Sequence, residues 1–165
     1  RKAEPDAALG VSKKALERMP RNPELHFLQG RAYMQLDRPA EAAQAFVRAA
    51  AHATQPSANY FTALGVAYNQ LGSYDRAVAA LGKSLELEAA RPYVQLQLGM
   101  AYAGTGDEEA AARALRQSAV LGLAERDHRA AARAVQTLRS MGLERQLDAQ
   151  DLEALEQRIA TQAPT

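Results

Sequence analysis

Between Leu64 and Leu81, in the stretch LGVAYNQLGSYDRAVAAL, apolar residues recur every three to four positions on both sides of a Gly-Ser break. That spacing predicts a helix, a tight turn and a second helix, each with one apolar face. Gly65 is the odd member, because glycine inside a helix costs about 1 kcal/mol relative to alanine. The anomaly recurs. Gly30, Gly65 and Gly99 are spaced by 35 and then 34 residues, and Tyr33, Tyr68 and Tyr102 keep the same intervals. Ala42, Ala77 and Ala111 hold the phase at the start of the second helix, and Phe46, Leu81 and Leu115 follow them. Four landmarks in one phase through three copies predict stacked helix pairs, because self-similarity at a fixed period marks a repeat architecture. Gly65 and Ala77 thin the contact so that the two helices of a pair approach closely, and Tyr68 and Leu81 fill the space beside them. The propensity cost of the glycine is offset by packing.

The best copy of the pattern, Leu64-Gly65, Ala67-Tyr68, Gly72, Tyr74, Ala77, Leu81 and Leu85, resembles the tetratricopeptide repeat family. The resemblance implies an all-α fold, a right-handed superhelical α-solenoid of antiparallel helix pairs whose first helices line a concave wall. It divides the chain into the second helix of a truncated upstream repeat (residues 1–21), three repeats (22–56, 57–90 and 91–122) and a divergent C-terminal capping helix pair (123–165). Ala15 to Gly30 and Ser84 to Gly99 are 15 residues apart but Ala49 to Gly65 is 16, so the one extra residue falls in the turn AHATQPSAN. Backwards, the phase lands on Ala8, Ser12 and Ala15, in a helix expected to end at Pro20. This half-repeat suggests a piece of a longer array, with Leu9 and Leu16 on an uncovered apolar face. Forwards, Arg133 and Gln136 replace the glycine and tyrosine. Ala131, Val135 and Leu138, then Leu152, Leu155 and Ile159, nevertheless keep helical spacing, with Asp148 as an N-cap. Asn22-Pro23-Glu24, Ser57 and Ser73 mark helix starts, and Gly72, Gly104 and Gly106 mark turns.

Composition narrows the functions. With 47% hydrophobic but only 5% aromatic residues, the core is built from alanine and leucine. Twenty basic and 19 acidic residues leave a net charge of +1, which gives no long-range pull toward nucleic acid or an anionic membrane. There is no cysteine, so disulfides and thiolate metal sites are excluded. No apolar run of about 18 residues predicts a membrane span, and RKAEPDAALG lacks the apolar centre of a signal peptide. Arginine outnumbers lysine 16 to 4 and alanine is abundant, a bias of GC-rich coding that suggests a bacterial source and a soluble chain of cytoplasm or periplasm.

No catalytic set, cofactor motif or metal-ligand spacing is present, and a non-enzymatic role is expected. His26, His52 and His128 have no partner spacing, and His26 reads as a packed imidazole. Gly104-Thr105-Gly106 follows a helix and lacks the remaining residues of a phosphate loop. Glu108 and Glu109 open a helix, where acids favour the positive end of the dipole. Arg126, Arg129 and Arg133 read as a solvated face of the first cap helix, with Glu125 and Asp127 nearby and no interleaved aromatics.

The family resemblance implies that a protein or peptide partner docks on the first helices. Faces opposite the Gly/Tyr side give Glu24, Phe27, Arg31 and Met34 in the first repeat, Asn59, Thr62, Val66 and Asn69 in the second, and Tyr93, Leu96, Met100 and Ala103 in the third. Members that grip acidic chaperone tails use a clamp of Lys, Asn and Arg, and the matching positions here are Phe27, Arg31, Ala63, Tyr93 and Gln97. Only Arg31 keeps a positive charge. The apolar strip of Phe27, Met34, Val66, Leu96 and Met100 instead suits an amphipathic helix or an extended apolar peptide. The expected function is an adaptor, by family association in assembly of a bacterial envelope, secretion or pilus complex. A self-associating scaffold and a regulatory segment of a larger protein are the alternatives.

Overall fold

The computed structural model describes residues 3–162, and more than three quarters of them are helical, with no strand among them. The chain divides into two compact units, Arg1–Leu87 and Glu88–Thr165. The first holds α1 (Ala3–Arg18), α2 (Pro23–Gln35), α3 (Pro39–His52), α4 (Ala58–Gln70) and α5 (Tyr74–Leu87). The second holds α6 (Pro92–Thr105), α7 (Glu108–Ala124), α8 (His128–Ser140), a 3-10 turn at Glu144–Gln146 and α9 (Ala149–Gln162).

Turn chemistry sets these boundaries. Asn22, Asp107 and Asp127 accept hydrogen bonds from the backbone N–H three residues on, at 2.9–3.1 Å, and Asp148 accepts from Gln150 N–H at 2.8 Å. Each bond satisfies a donor that the first turn of a helix leaves open. Ser57 stands at the start of α4 but makes no side-chain cap bond. The turns after α4, α6 and α8 place Gly72, Gly106 and Gly142 at φ between 66° and 84°, where a Cβ is strained. Asp37 and Arg126 hold that left-handed conformation without being glycine, at φ 56° and 59°. Gly104 is not a turn residue, because α6 runs on to Thr105, whose Oγ1 donates to Tyr102 C=O.

The glycines inside the helices answer to specific neighbours. A Cβ on Gly30 would run into the Phe46 ring, one on Gly65 would sit 2.5 Å from Leu81 Cγ, and one on Gly99 2.6 Å from Leu115 Cγ. The glycine of each first helix is therefore dictated by the large residue sixteen positions on, which is at most 1% exposed in all three repeats. In the first unit Ala42, Ala43, Phe46, Leu64, Ala67 and Ala80 form one core cluster, with Tyr33 and Tyr68 packed against it. In the second, Ala111, Leu115, Leu123, Leu138, Leu152 and Leu155 are among the residues joining α7 to the cap helices.

Three expectations are corrected. The first helix stops at Arg18, before Pro20. Leu9 is buried and Leu16 partly so, because they turn toward α2; the open apolar residue of α1 is Val11. Arg126 lies in the turn before α8, so it shares no helix face with Arg129 and Arg133.

Candidate functional site

The first helices of the repeats present equivalent positions, and exposure shows which of them face solvent. In α2 these are Glu24, Leu28, Arg31 and Gln35. One repeat on, α4 places Asn59, Ala63, Val66 and Gln70 at the same positions, with Asn59 and Gln70 exposed and the other two half-buried. In α6 the series continues as Tyr93, Gln97, Met100 and Gly104, of which Tyr93 and Gly104 are exposed, Met100 is half-buried and Gln97 is buried.

Phe27, Thr62 and Leu96 fall one residue out of this frame. They precede the packed glycines by three, which puts them about 60° from the glycine around the helix, whereas the residue after each lies about 160° away. Phe27 is half-buried, with its ring centroid 5.6 Å from Phe46 and 5.1 Å from Tyr60. Thr62 is buried. Its hydroxyl donates to Ala58 C=O at 2.9 Å and lies 2.7 Å from Ser84 Oγ on α5, so it belongs to the seam between the two helices of its repeat. Leu96 is only 3% exposed. Met34 and Ala103 pack against the cores of their units, and Asn69 is half-buried.

In the first unit the exposed face is braced by an inter-helix bond. The Tyr60 hydroxyl on α4 donates to the Glu24 carboxylate on α2. Burial, and then the carboxylate accepting its proton, push the Tyr60 phenol up to about 12. His26 is buried behind this face, with Nε2 2.9 Å from Pro20 C=O and its ring centroid 5.5 Å from that of His52. Because a carbonyl only accepts, Nε2 carries the proton. The fold thus pairs two histidines that sequence spacing left apart, but no group of three or more metal-ligating side chains exists among the described residues.

The second unit contains an open hollow of about 410 Å³ between α6 and α8. Its floor includes Leu96 and its walls Pro92 and Tyr93, while Arg129, Arg133, Glu125 and Asp127 form a charged rim. Tyr93 is 47% exposed. Asp127 is already engaged in capping α8. Arg129 and Arg133 are exposed and make no ion pair within the described residues. Sequence reasoning picked out Tyr93 and Leu96 as candidates but treated the two arginines as an unrelated face. Their positions one turn apart on α8 were legible, whereas their approach to α6 depends on the helix packing.

Repeat spacing, helix-pair packing and the glycine contacts converge on one family, and models of it match the sequence. Two tetratricopeptide repeat models cover residues 2–65 and 58–91, reaching together past the middle of the chain. The chain is a tetratricopeptide repeat protein. Its fold is the all-α solenoid of antiparallel helix pairs of that family. Solved tetratricopeptide structures are similar to it along nearly all its length. A crystal structure of MamA matches at 21% identity with a TM-score of 0.75, covering 98% of this chain and 90% of that one. TTC0263, a thermophilic tetratricopeptide protein of Thermus thermophilus, matches at 20% identity and a TM-score of 0.59 over 96% of this chain and 90% of its own. YrrB, described as having an unusual peptide-binding site, matches at 18% identity and a TM-score of 0.58 over 93% and 84%. No curated protein sequence matches the chain. No described helix is long and apolar enough to cross a membrane.

Proposed function

We propose that this tetratricopeptide protein is a docking module that holds a segment of a partner protein on the exposed faces of its first helices and does no chemistry of its own. The observation that carries the reading is the hollow between α6 and α8, where an apolar floor and an exposed tyrosine meet two arginines without ion-pair partners. Such a site takes an apolar side chain on the floor and an acidic group at the rim, because arginine presents a fork of donors to a carboxylate. Met100 offers a further half-buried side chain in the second unit, and the first unit by itself offers Arg31 on α2 and Asn59 and Val66 on α4. Phe27, Thr62, Met34 and Asn69 support those faces from within. An assembly role in a bacterial envelope, secretion or pilus complex is one use of such a module and rests on composition and family association.

A random peptide library displayed on phage tests this reading. The parent protein is expected to enrich sequences that pair an acidic residue with a large apolar one. The triple variant Tyr93→Ala, Arg129→Glu, Arg133→Glu is expected to lose that enrichment while keeping its helicity. Enrichment of the same sequences by both proteins, or of none by the parent, would refute it.

A further inference from the structure

A second hollow, of about 400 Å³, lies in the first unit between the second helices α3 and α5, at the end of α4. Val47 on α3 and Leu71 just after α4 both line it, at 44% and 40% exposure, so they form one apolar patch rather than scattered surface residues. Ala40 and Ala43 keep the α3 wall low, and Tyr68 closes the α4 side. Each flank carries one cation, Arg48 on α3 and Arg76 on α5. Both are exposed, and neither makes an ion pair among the described residues.

The two repeats of this unit treat the arginine over their tyrosine differently. In the first, the Arg38 guanidinium lies 4.9 Å from the centre of the Tyr33 ring, and its Nε donates to the Glu41 carboxylate at 2.7 Å. In the second, the Arg76 guanidinium lies 5.9 Å from the centre of the Tyr68 ring and holds no carboxylate of the described residues. At the 35-residue spacing of Tyr33 and Tyr68, Arg76 stands where Glu41 does and Ser73 where Arg38 does. The second repeat thus keeps a guanidinium over its tyrosine and lacks the acid that neutralises it in the first. A guanidinium over an aromatic ring is oriented in advance and presents a fork of donors that a carboxylate fits.

We propose that this hollow docks an amphipathic helix of a partner protein, which seats an aliphatic side chain between Val47 and Leu71 and turns a carboxylate on each flank toward Arg48 and Arg76. The two cations select an acidic partner. The helical walls, with alanines at Ala40 and Ala43, admit the ridge of a third helix. None of these residues belongs to the hollow of the second unit, so the chain presents two separate docking surfaces.

An amide NMR titration of the 165-residue chain tests it with two synthetic helical peptides. One carries leucines one turn apart bordered on both flanks by glutamates, and the other has lysine in place of every glutamate. The glutamate peptide is expected to shift amides around Val47, Leu71 and Arg76, and the lysine peptide to leave them in place. Val47→Glu, at an exposed site that leaves folding intact, puts a carboxylate on the apolar seat and should abolish the shifts. The double variant Arg48→Glu, Arg76→Glu should raise the dissociation constant of the glutamate peptide on the order of tenfold and gain binding of the lysine peptide. Failure of the glutamate peptide to shift the first unit overturns the proposal, as do equal shifts from the lysine peptide or a double variant that still prefers glutamate. Shifts centred on Tyr93 and Arg133 instead also overturn it, while leaving the hollow of the second unit standing as a docking site.

Discussion

Gly65→Ala separates a glycine kept for packing from one kept by chance. On propensity alone the substitution stabilises α4 by about 1 kcal/mol. The new Cβ, however, would lie 2.5 Å from Leu81 Cγ and 2.7 Å from Cδ2, and Leu81 is fully buried, so the branch point of its side chain has nowhere to move. Overpacking of this kind costs about 1–3 kcal/mol, and a clash with a branch point belongs toward the upper end. The net expectation is a loss of about 1–2 kcal/mol. Gly10, in α1, is the control: nothing lies within 4 Å of its Cβ position, so Gly10→Ala should gain about 1 kcal/mol. Urea denaturation followed by far-UV circular dichroism reads both. A double-mutant cycle sharpens the test, because in a Leu81→Ala background the clash is gone and Gly65→Ala should become stabilising. A Gly65→Ala protein as stable as the parent, with Gly10→Ala behaving as expected, would refute the packing account of the repeated glycine.

Other expectations follow from the same geometry. Gly122→Ala should be more damaging than Gly65→Ala, because its Cβ would meet backbone atoms, Ala131 N at 2.8 Å and Asp127 O at 3.1 Å, which cannot rotate away; thermal melting of the two variants compares them. Arg126→Gly should stabilise the turn before α8 by about 1 kcal/mol by relieving a left-handed backbone, measured as a shift in the urea midpoint. The Tyr60 phenol is raised from about 10 to about 12, so the unfolded chain ionises first as pH rises. The stability it contributes is present below pH 10 and lost between 10 and 12. Tyr60→Phe should flatten that fall in a series of denaturation curves.

Much of this architecture was legible in the sequence because repetition multiplies a weak local signal. Gly30, Gly65 and Gly99 would each be an unremarked helix glycine, but in phase with Phe46, Leu81 and Leu115 they define the pairing of helices. Gly122 carries as tight a contact and stands outside the phase, so nothing in the period marks it. The docking faces were less legible. Phe27, Thr62 and Leu96 look like groove residues because two are large and apolar and one sits between apolar neighbours. Their distance of three from the packed glycine nevertheless turns them inward, and Leu28, Ala63 and Gln97 take the outward step around the helix, although Gln97 is itself covered. The hollow of the second unit was beyond sequence reasoning, since Tyr93 and Arg133 are forty residues apart and no motif links them.

The most direct test of the docking account is an amide NMR titration of the protein with the peptide it selects. The account predicts shifts concentrated at Tyr93, Arg129, Ala130 and Arg133, the start of α6 and the facing turns of α8. Shifts confined to the second helices α3, α5 and α7 would contradict it, because they would place the partner on the opposite side of each helix pair.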